Sequence, residues 1–229
     1  MLASRATKIF VAYEGMEKYF PAGKIIFTGN PVRPGIIECN AKREAGLRYF
    51  DLNPTRKTIL ALGGSLGAGT INRSILNALD NIDGNVQLLW QSGRHDYEFM
   101  KSAVIRSGKK NIKILPFIKN IELAYGAADI IISRAGAGTI SELAIVGKPV
   151  LLVPSPNVAE DHQTKNAMAL VKINAAIHIP DKNAGALLLK ESLNLIKDTD
   201  RMKQLSENIK KMAVPNASER IAKEIIDLL

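Results

Sequence analysis

The chain has 229 residues, of which 46% are hydrophobic and 23% charged, the proportions of a soluble globular protein with one good core. Its single cysteine, Cys39, excludes an intramolecular disulfide framework and favours a reducing, cytoplasmic compartment. No apolar run approaches the ~18 residues of a membrane span. The net charge of +9 favours acidic partners, but the basic residues are spread out, so we do not expect nucleic acid binding.

The first 32 residues have a different pattern from the rest of the chain. Residues 8–13 and 24–28 are short runs rich in β-branched and aromatic residues, which predict two strands with no helical stripe between them. Residues 28–35 follow, Thr-Gly-Asn-Pro-Val-Arg-Pro-Gly, whose prolines and glycines stiffen and turn the chain as a linker does. Two strands cannot form a domain, so we interpret residues 1–32 as the remnant of a domain plus a linker.

From residue 58 onward, strand-like and helical patterns alternate. The predicted strands are residues 58–62, 86–90, 112–115, 129–133, 149–153 and 176–179. Strands that alternate with helices predict an α/β domain with a Rossmann-like, doubly wound parallel sheet. We place this complete domain at residues 33–215.

The end of the chain is predicted to be helical. Helical patterns cover residues 183–197 and 201–212, and a last amphipathic stretch follows Pro215. We expect this last helix, within residues 216–229, to pack back toward the N-terminal remnant. The sequence Asp198-Thr-Asp200 has the form of a metal-binding Asp-x-Asp, but its position between two helices predicts a helix N-cap instead. We therefore expect no metal site and no cofactor.

A glycine loop at residues 133–142, Ser-Arg-Ala-Gly-Ala-Gly-Thr-Ile-Ser-Glu, lies between an apolar run and a helical pattern that begins near Leu143. Glycines let the backbone approach a ligand closely, and a helix start attracts an anion such as phosphate. Glu142, about one turn into the helix, can accept hydrogen bonds from paired hydroxyls such as those of a ribose. Alternatively, Thr139 and Glu142 form a capping box within the helix itself.

A second glycine loop of the same design occupies residues 63–69, after the predicted strand 58–62 and before a predicted helix at residues 71–79. Loops at the carboxyl ends of parallel strands can face one ligand, which favours a nucleotide site over capping alone. Neither loop has the third glycine of Gly-x-Gly-x-x-Gly, and no Gly-Lys-Ser/Thr closes a P-loop. Dehydrogenase and kinase functions are therefore disfavoured.

Five sequence blocks, in this order and spacing, resemble the MurG-type N-acetylglucosaminyltransferases of peptidoglycan synthesis. They are residues 29–33, 63–68, 90–93, 133–142 and 161–167. The blocks correspond to the family's C-terminal, donor-binding portion and the linker before it. Residues 1–28 resemble only the last strands of the N-terminal acceptor domain, so that half is expected to be missing.

The resemblance implies a GT-B fold and a hexosyltransferase that transfers N-acetylglucosamine, with inversion, from UDP-N-acetylglucosamine to undecaprenyl-pyrophosphoryl-MurNAc-pentapeptide. Such a protein would serve cell-wall synthesis, cell division and cell shape from the cytoplasmic face of the inner membrane. It would be a peripheral protein that meets the anionic membrane mainly through the missing half. That half would also hold the general base, so the catalytic residue is unknown and we predict that the isolated chain is inactive.

The resemblance also implies a set of substrate-binding residues. The linker arginine would close on the nucleotide, the backbone after the third strand of the domain would read the uracil edge, and the acid of the glycine loop would bind the ribose. Both glycine loops would bind the diphosphate, and the start of a later helix would meet the sugar hydroxyls. The residues are Arg33, Ser65, Ile118, Ala137, Gly138, Thr139, Ile140, Ser141, Glu142, His162, Gln163 and Asn166.

Two other functions remain open at this point. A UDP-sugar 2-epimerase-like isomerase shares the architecture and a similar donor pocket, and the donor-binding subunit of a split glycosyltransferase would agree with the chain's length. The remaining candidates have simpler interpretations. We predict that His95 lies in a loop or first turn and His178 in a half-buried strand. Trp90 and Phe117 are predicted to be core residues rather than platforms for a base.

Overall fold

The computed structural model describes residues 2–64, 67–158 and 161–228, and its strands form two parallel sheets. A small sheet pairs β1 (Ile9–Val11) with β2 (Ile25–Phe27). The main sheet contains β3 (Lys57–Leu62), β4 (Val86–Gln91), β5 (Ile112–Leu115), β6 (Ile130–Ser133), β7 (Val150–Leu152) and β8 (Ile177–His178). Every predicted strand is present, with small shifts at the ends.

The main sheet has the strand order β5-β4-β3-β6-β7-β8, and all its pairs are parallel. The chain therefore moves outward in one direction from β3 to β5, returns to β6 beside β3, and moves outward in the other direction. This order confirms the predicted doubly wound sheet and puts its topological switch point between β3 and β6. Ligands bind such sheets beyond the carboxyl ends of the strands at this point.

Helices cover both faces of the main sheet. The helices of the described residues, on the sheet and elsewhere, are α1 (Leu2–Arg5), α2 (Arg43–Tyr49), α3 (Gly69–Asn77), α4 (Tyr97–Arg106), α5 (Ile121–Ala127), α6 (Ala137–Val146), α7 (His162–Lys172), α8 (Ala184–Leu195), α9 (Thr199–Lys210) and α10 (Ala217–Ile226). Short 3-10 turns lie at Met16–Lys18, Ala22–Lys24, Pro34–Ile36, Cys39–Lys42, Leu79–Asn81 and Asp181–Asn183.

Two hydrophobic cores lie on opposite sides of the sheet because side chains alternate along each strand. Leu60 of β3 and Ile131 of β6 face one core, which helices α5, α6 and α7 complete. Ile59 and Ile132 face the other core, which helices α3, α4 and α8 complete. With both faces covered, the central strands β4 and β6 are buried throughout, which explains their continuous apolar runs.

The N-terminal strands are tied to the rest of the chain by polar contacts. Lys8 Nζ forms an ion pair with Glu224 Oε2 of α10 at 2.6 Å. Asn30 Nδ2 donates a hydrogen bond to Ser141 Oγ of α6 at 3.0 Å. Within the described ranges, no helix is long and apolar enough to cross a membrane.

The starts of two helices differ from the prediction. Helix α6 begins at Ala137 rather than near Leu143, and α3 begins at Gly69 rather than at residue 71. In both cases the first turn contains a glycine, whose low helix propensity hid the start. The predicted N-cap at Asp198 is confirmed, because its side chain accepts a hydrogen bond from the Arg201 N–H at 3.0 Å.

Candidate functional site

The start of α6 presents backbone N–H groups without a side-chain cap. Its N-cap is Gly136, which has no side chain to form a capping hydrogen bond. The first intrahelical bond runs from the Ile140 N–H to the Gly136 carbonyl at 2.9 Å. The free donors of the first turn are therefore those of Ala137, Gly138 and Thr139. The Ile140 N–H is already bonded within the helix, and the predicted contact of this residue with a ligand stays a prediction. The helix start remains suited to an anion.

Glu142 does not close a capping box. Arg33 donates from Nε and Nη2 to Glu142 Oε1 at 3.0 and 2.9 Å, and from Nη2 to Oε2 at 2.9 Å. The Tyr125 hydroxyl lies 3.3 Å from Oε2. Thr139 lies inside the helix rather than at its N-cap, so the capping-box interpretation is wrong. A carboxylate has about four acceptor positions, which these contacts fill, so ligand hydroxyls must replace a present partner.

Tyr125 is a buried hydrogen-bond partner of Glu142. It lies on α5 and is only 1% exposed, with its ring in the hydrophobic core. Burial raises the pKa of the Tyr125 hydroxyl, and the neighbouring Glu142 carboxylate raises this pKa further. The hydroxyl therefore stays protonated and can act as a donor to the carboxylate.

A cavity of about 260 Å³ lies beyond the carboxyl ends of β3 and β6. It brings together four residues of the predicted set, Arg33, Ile118, Thr139 and Glu142. Phe117 also lines the cavity and is 40% exposed, so its interpretation as a core residue is wrong. The other lining residues are Leu62, Gly63, Gly64, Gln91, Ile121, Tyr125, Ser133 and Arg134.

The backbone N–H of Ile118 already has a partner. It donates a hydrogen bond to Gln91 Oε1 at 2.8 Å, and Gln91 lines the same cavity. The Gln91 side chain therefore holds the Ile118 backbone amide in place. Trp90, the neighbour of Gln91, is fully buried as predicted, and its Nε1 donates to Asn72 Oδ1 at 3.0 Å.

A second cavity of about 450 Å³ adjoins the first and shares Arg134 as a wall. Arg134 Nη1 donates to the carbonyls of Val153 and Pro154 at 2.9 and 3.0 Å and forms an ion pair with Asp181. Thr70 Oγ1 donates to the other oxygen of Asp181 at 2.9 Å. This network joins the start of α3 to the loop after β7.

Gln163 and Asn166 of α7 hold the loops beside the second cavity. Gln163 Oε1 accepts hydrogen bonds from the N–H groups of Ser155 and Ala135 at 2.9 and 3.3 Å, and Gln163 lines the cavity. Asn166 Nδ2 donates to the Ala135 carbonyl at 3.1 Å. His162, the exposed first residue of α7, is not among the described residues that line either cavity. The other predicted site residue in a loop, Ser65, lies outside the described residues.

A third cavity, of about 530 Å³, lies on the other flank of α6. Ile140, Ser141 and Ala144 line it, together with Tyr13 and other residues of the N-terminal segment. The structure therefore separates Ile140 and Ser141 from Thr139 and Glu142, and their side chains do not share one cavity. We favour the other two cavities as the candidate site because they lie at the switch point and Thr139, in the first turn of α6, lines one of them.

Glycine has different roles in the two loops. Gly67 has a φ of +91°, and a Cβ there would lie 2.6 Å from the Ser92 carbonyl oxygen, so the first loop needs glycine for its own geometry. Gly136 has a φ of −67°, and a Cβ on Gly138 would meet nothing within 4 Å. The second loop therefore has open space beside Gly138.

Some residues that line the two cavities were not predicted as site residues. Sequence reasoning missed Gln91, Phe117, Tyr125 and Arg134. Only Gln91 had a usable signal, as a polar residue ending a buried strand.

His178 lies in a half-buried strand and His95 in a turn before α4, as predicted. Across the part of the chain that the structure describes, no group of three or more His, Cys, Asp or Glu side chains is placed to hold a metal ion.

The fold and site define a Rossmann-like α/β domain of the GT-B glycosyltransferase type. The chain belongs to the family described as "Glycosyltransferase family 28 C-terminal domain", whose model matches residues 58–221. It is 51% identical over 231 residues to the UDP-N-acetylglucosamine--N-acetylmuramyl-(pentapeptide) pyrophosphoryl-undecaprenol N-acetylglucosamine transferase of Bacteroides thetaiotaomicron. It is 48% identical over 240 residues to the protein of that name from Flavobacterium psychrophilum. The alignments cover all of this chain and 62% of each relative.

Solved structures show the same fold. The crystal structure of Acinetobacter baumannii MurG has a TM-score of 0.75 and 28% identity, with 98% of this chain and 61% of that chain covered. The UDP-GlcNAc 2-epimerase of Neisseria meningitidis, bound to UDP-GlcNAc, has a TM-score of 0.67 and covers 98% of this chain and 62% of its own. Its identity of 17% supports a shared fold alone. The chain thus spans somewhat less than two thirds of these proteins.

Proposed function

We propose that this chain binds UDP-N-acetylglucosamine and forms the donor half of a glycosyltransferase. The complete reaction would be an inverting transfer of N-acetylglucosamine to undecaprenyl-pyrophosphoryl-MurNAc-pentapeptide. The relatives that are about half identical carry names for this transfer. The observation that carries the proposal is that Thr139, in the uncapped first turn of α6, and the acid Glu142 line one cavity beside the switch point.

The two cavities suggest how the donor would lie. The base would rest against Phe117 and the Ile118 backbone, and the ribose hydroxyls would reach Glu142, all within the cavity of about 260 Å³. The diphosphate would lie over the N–H groups that begin α6. A diphosphate contact from Ser65 stays a prediction. The sugar would enter the adjoining cavity near Gln163, with Asn166 behind it and His162 at the rim of α7.

Arg33 has to change partners when the donor binds. It now fills most of the acceptor positions of Glu142, and its side chain is 56% exposed against 15% for the acid. Ribose hydroxyls would take its place on the carboxylate, which would free the guanidinium to close on the nucleotide. An exposed ion pair contributes only ~0–1 kcal/mol, so this exchange has a low cost.

The chemistry of transfer agrees with these groups. When the bond to the sugar breaks, negative charge develops on the leaving diphosphate. N–H dipoles that are already fixed in a partly dry cavity stabilise such charge better than water does. The remaining requirements are an acceptor hydroxyl held against the sugar carbon and a base to take its proton. No residue of this site has a geometry that assigns it to either role.

The proposed acceptor also implies a location. A substrate with an undecaprenyl chain lies in a membrane, so the reaction would take place at a membrane surface. We propose peripheral attachment on the cytoplasmic face, where the net charge of +9 would favour anionic lipids.

Calorimetry with UDP and UDP-N-acetylglucosamine tests the donor proposal directly. We expect dissociation constants from tens of micromolar to millimolar, or about −4 to −6 kcal/mol, and much weaker binding of ADP as a control. In parallel, transfer to a soluble acceptor analogue should be absent, because lost positioning and lost base catalysis together remove ~9–15 kcal/mol of barrier lowering.

Two results would contradict the proposal in different ways. If the folded protein shows neither heat nor a rise in melting temperature at millimolar UDP, the donor site is wrong. If the isolated chain transfers sugar efficiently, the donor site stands but the base must be sought in this chain, first at His162.

A further inference from the structure

The third cavity, of about 530 Å³, has walls from three parts of the chain that are far apart in the sequence. The N-terminal segment contributes Tyr13 and Phe27. Helix α6 contributes Ile140 and Ala144, which are 3% and 2% exposed, and the connection from α9 to α10 contributes residues 211–215. The cavity therefore has a buried apolar wall, and it shares no described lining residue with the two cavities of the candidate donor site.

Two aromatic side chains line this cavity and are not covered by the fold. Tyr13 is 37% exposed and Phe27 is 41% exposed. Open aromatic surfaces in a concave site favour a flat ring, which can stack on them or meet their edges. Met212 adds a flexible side chain that adapts to irregular apolar shapes. The walls thus favour a ligand with an aromatic body.

Arg220 of α10 gives the cavity a cation that the fold does not neutralise. Among the described residues, its guanidinium has no ion-pair or hydrogen-bond partner. Lys211, the other cation of the described lining, donates to Asn208 Oδ1 at 2.9 Å. Glu14 is the single acid of that lining. A guanidinium without a partner favours a carboxylate or sulfonate, so the charge of the cavity favours an acidic group on the ligand.

Helix α6 places this cavity next to the candidate donor site. Ser141 lines the third cavity, and the following residue, Glu142, lines the donor cavity. The linker reaches both of them. Asn30 donates to Ser141 Oγ at 3.0 Å, and Arg33 pairs with the neighbouring carboxylate. Because Asn30 also lines the third cavity, a ligand packed against it would hold the linker on α6. Arg33 would then stay on the carboxylate that the ribose hydroxyls need.

We propose that the third cavity is an effector site for a small aromatic acid, which holds the linker on α6 and so opposes binding of the donor. The ring system of this ligand would pack against Tyr13 and Phe27, and its acidic group would meet Arg220. The effector role rests on the proposed function, because it requires that the donor binds beside Glu142.

A matched pair of fluorescent probes separates the two parts of the proposed ligand. The first, 8-anilinonaphthalene-1-sulfonate (ANS), is a small aromatic acid, and the second, N-phenyl-1-naphthylamine, has the same rings without the acid. Both are titrated into wild type, Arg220→Gln and Phe27→Leu. The control variants are Lys223→Gln and Phe99→Leu, at exposed positions outside the described lining. Melting temperatures show that each variant folds, and calorimetry gives UDP affinities with and without ANS.

We expect wild type to bind ANS and to lose about fivefold or more in UDP affinity when ANS is saturating. Saturating UDP should weaken ANS by the same factor, because such coupling is reciprocal. Arg220→Gln should weaken ANS roughly threefold to tenfold and leave the neutral probe unchanged. Phe27→Leu should weaken both probes, because both lose an aromatic wall. Both control variants should behave as wild type does.

Other outcomes overturn the inference. If Arg220→Gln and Lys223→Gln bind ANS equally, or Phe27→Leu and Phe99→Leu do, ANS occupies a different site, the donor cavity included. If ANS binds in the third cavity and UDP affinity does not change, the cavity has no effector role. If the folded protein binds no UDP even without ANS, the proposed function itself fails, and the effector role fails with it.

Discussion

Two helix starts in this molecule share the sequence Gly-Ala-Gly-Thr-Ile, at residues 67–71 and 136–140, and follow adjacent strands. In the first, Gly67 has a φ of +91° and is pressed against the Ser92 carbonyl oxygen. In the second, Gly136 has a φ of −67° and the loop opens onto a cavity. The same five residues thus take different conformations, because the loop after β4 packs on one of them and not on the other.

The residues that follow the shared sequence separate the two helices further. Asn72 is fully buried, and its side chain binds Trp90 Nε1, the Ser92 carbonyl oxygen and Asp96 Oδ2. Ser141, the corresponding residue of α6, instead meets Asn30 of the N-terminal strands. Glu142 then faces the cavity. One helix start is therefore locked into the fold, whereas the other has free backbone donors and an acid that is paired with Arg33 at the cavity.

The largest expected effect concerns stability at the paired positions 72 and 141. Asn72→Ala should lower the free energy of unfolding by about 3–4 kcal/mol, because the Trp90 indole N–H and the Ser92 carbonyl lose their buried partner. Ser141→Ala removes a half-buried hydroxyl and should cost only about 0.5–1.5 kcal/mol. Urea denaturation of both variants gives the two values. Equal losses would show that the two helix starts do not differ as described.

Much of this comparison could be predicted from the sequence. The glycine loops, the strands before them and the doubly wound order follow from alternating apolar and helical patterns. The position of Glu142 in the first turns of a helix also followed from the sequence, whereas its binding to a ribose stays a prediction. These features depend on local sequence and on general rules of parallel sheets.

The rest depends on contacts between distant parts of the chain. Phe117 is a large apolar residue of the kind usually found in a core. Its exposure follows only from how the loop after β5 meets the cavity. Tyr125 has the pattern of a core residue and is one, but its hydroxyl reaches Glu142, which is 17 residues away. Ile140 and Ser141 sit on the other flank of α6 because a helix turns about 100° per residue.

A second prediction tests the open space beside the α6 donors. Gly138→Ala adds a methyl group where nothing lies within 4 Å, so it should stabilise the fold by up to about 1 kcal/mol. If the diphosphate lies there, UDP affinity should fall roughly tenfold, or about 1.4 kcal/mol.

Gly185→Ala is the matched control for this substitution. Gly185 is also the second residue of a helix, α8, and also has nothing within 4 Å of an added Cβ. It should gain similar stability and leave UDP affinity unchanged. Equal UDP affinities for the two variants would remove the diphosphate from the start of α6.

The smallest effect concerns Tyr125, with Tyr49→Phe as an exposed control. Tyr125→Phe should weaken UDP binding by about 0.5–1.5 kcal/mol, because Glu142 loses a hydrogen bond that orients it. It should also flatten the alkaline loss of stability. The pKa of Tyr125 is raised in the fold, so above its ordinary value of 10.0 only the unfolded chain ionises and wild-type stability falls as pH rises. Identical unfolding curves at high pH for wild type and Tyr125→Phe would contradict this account.

The most direct test of the central claim, that Glu142 binds the ribose, is a double cycle measured by calorimetry. Wild type and Glu142→Gln are titrated with UDP and with 2′,3′-dideoxy-UDP, and Glu207→Gln on the exposed side of α9 is the control. We expect removal of either the carboxylate charge or the hydroxyls to cost ~1.5–3 kcal/mol, and removal of both to cost little more. If the two losses simply add, or if Glu142→Gln binds UDP as wild type does, Glu142 does not bind the ribose.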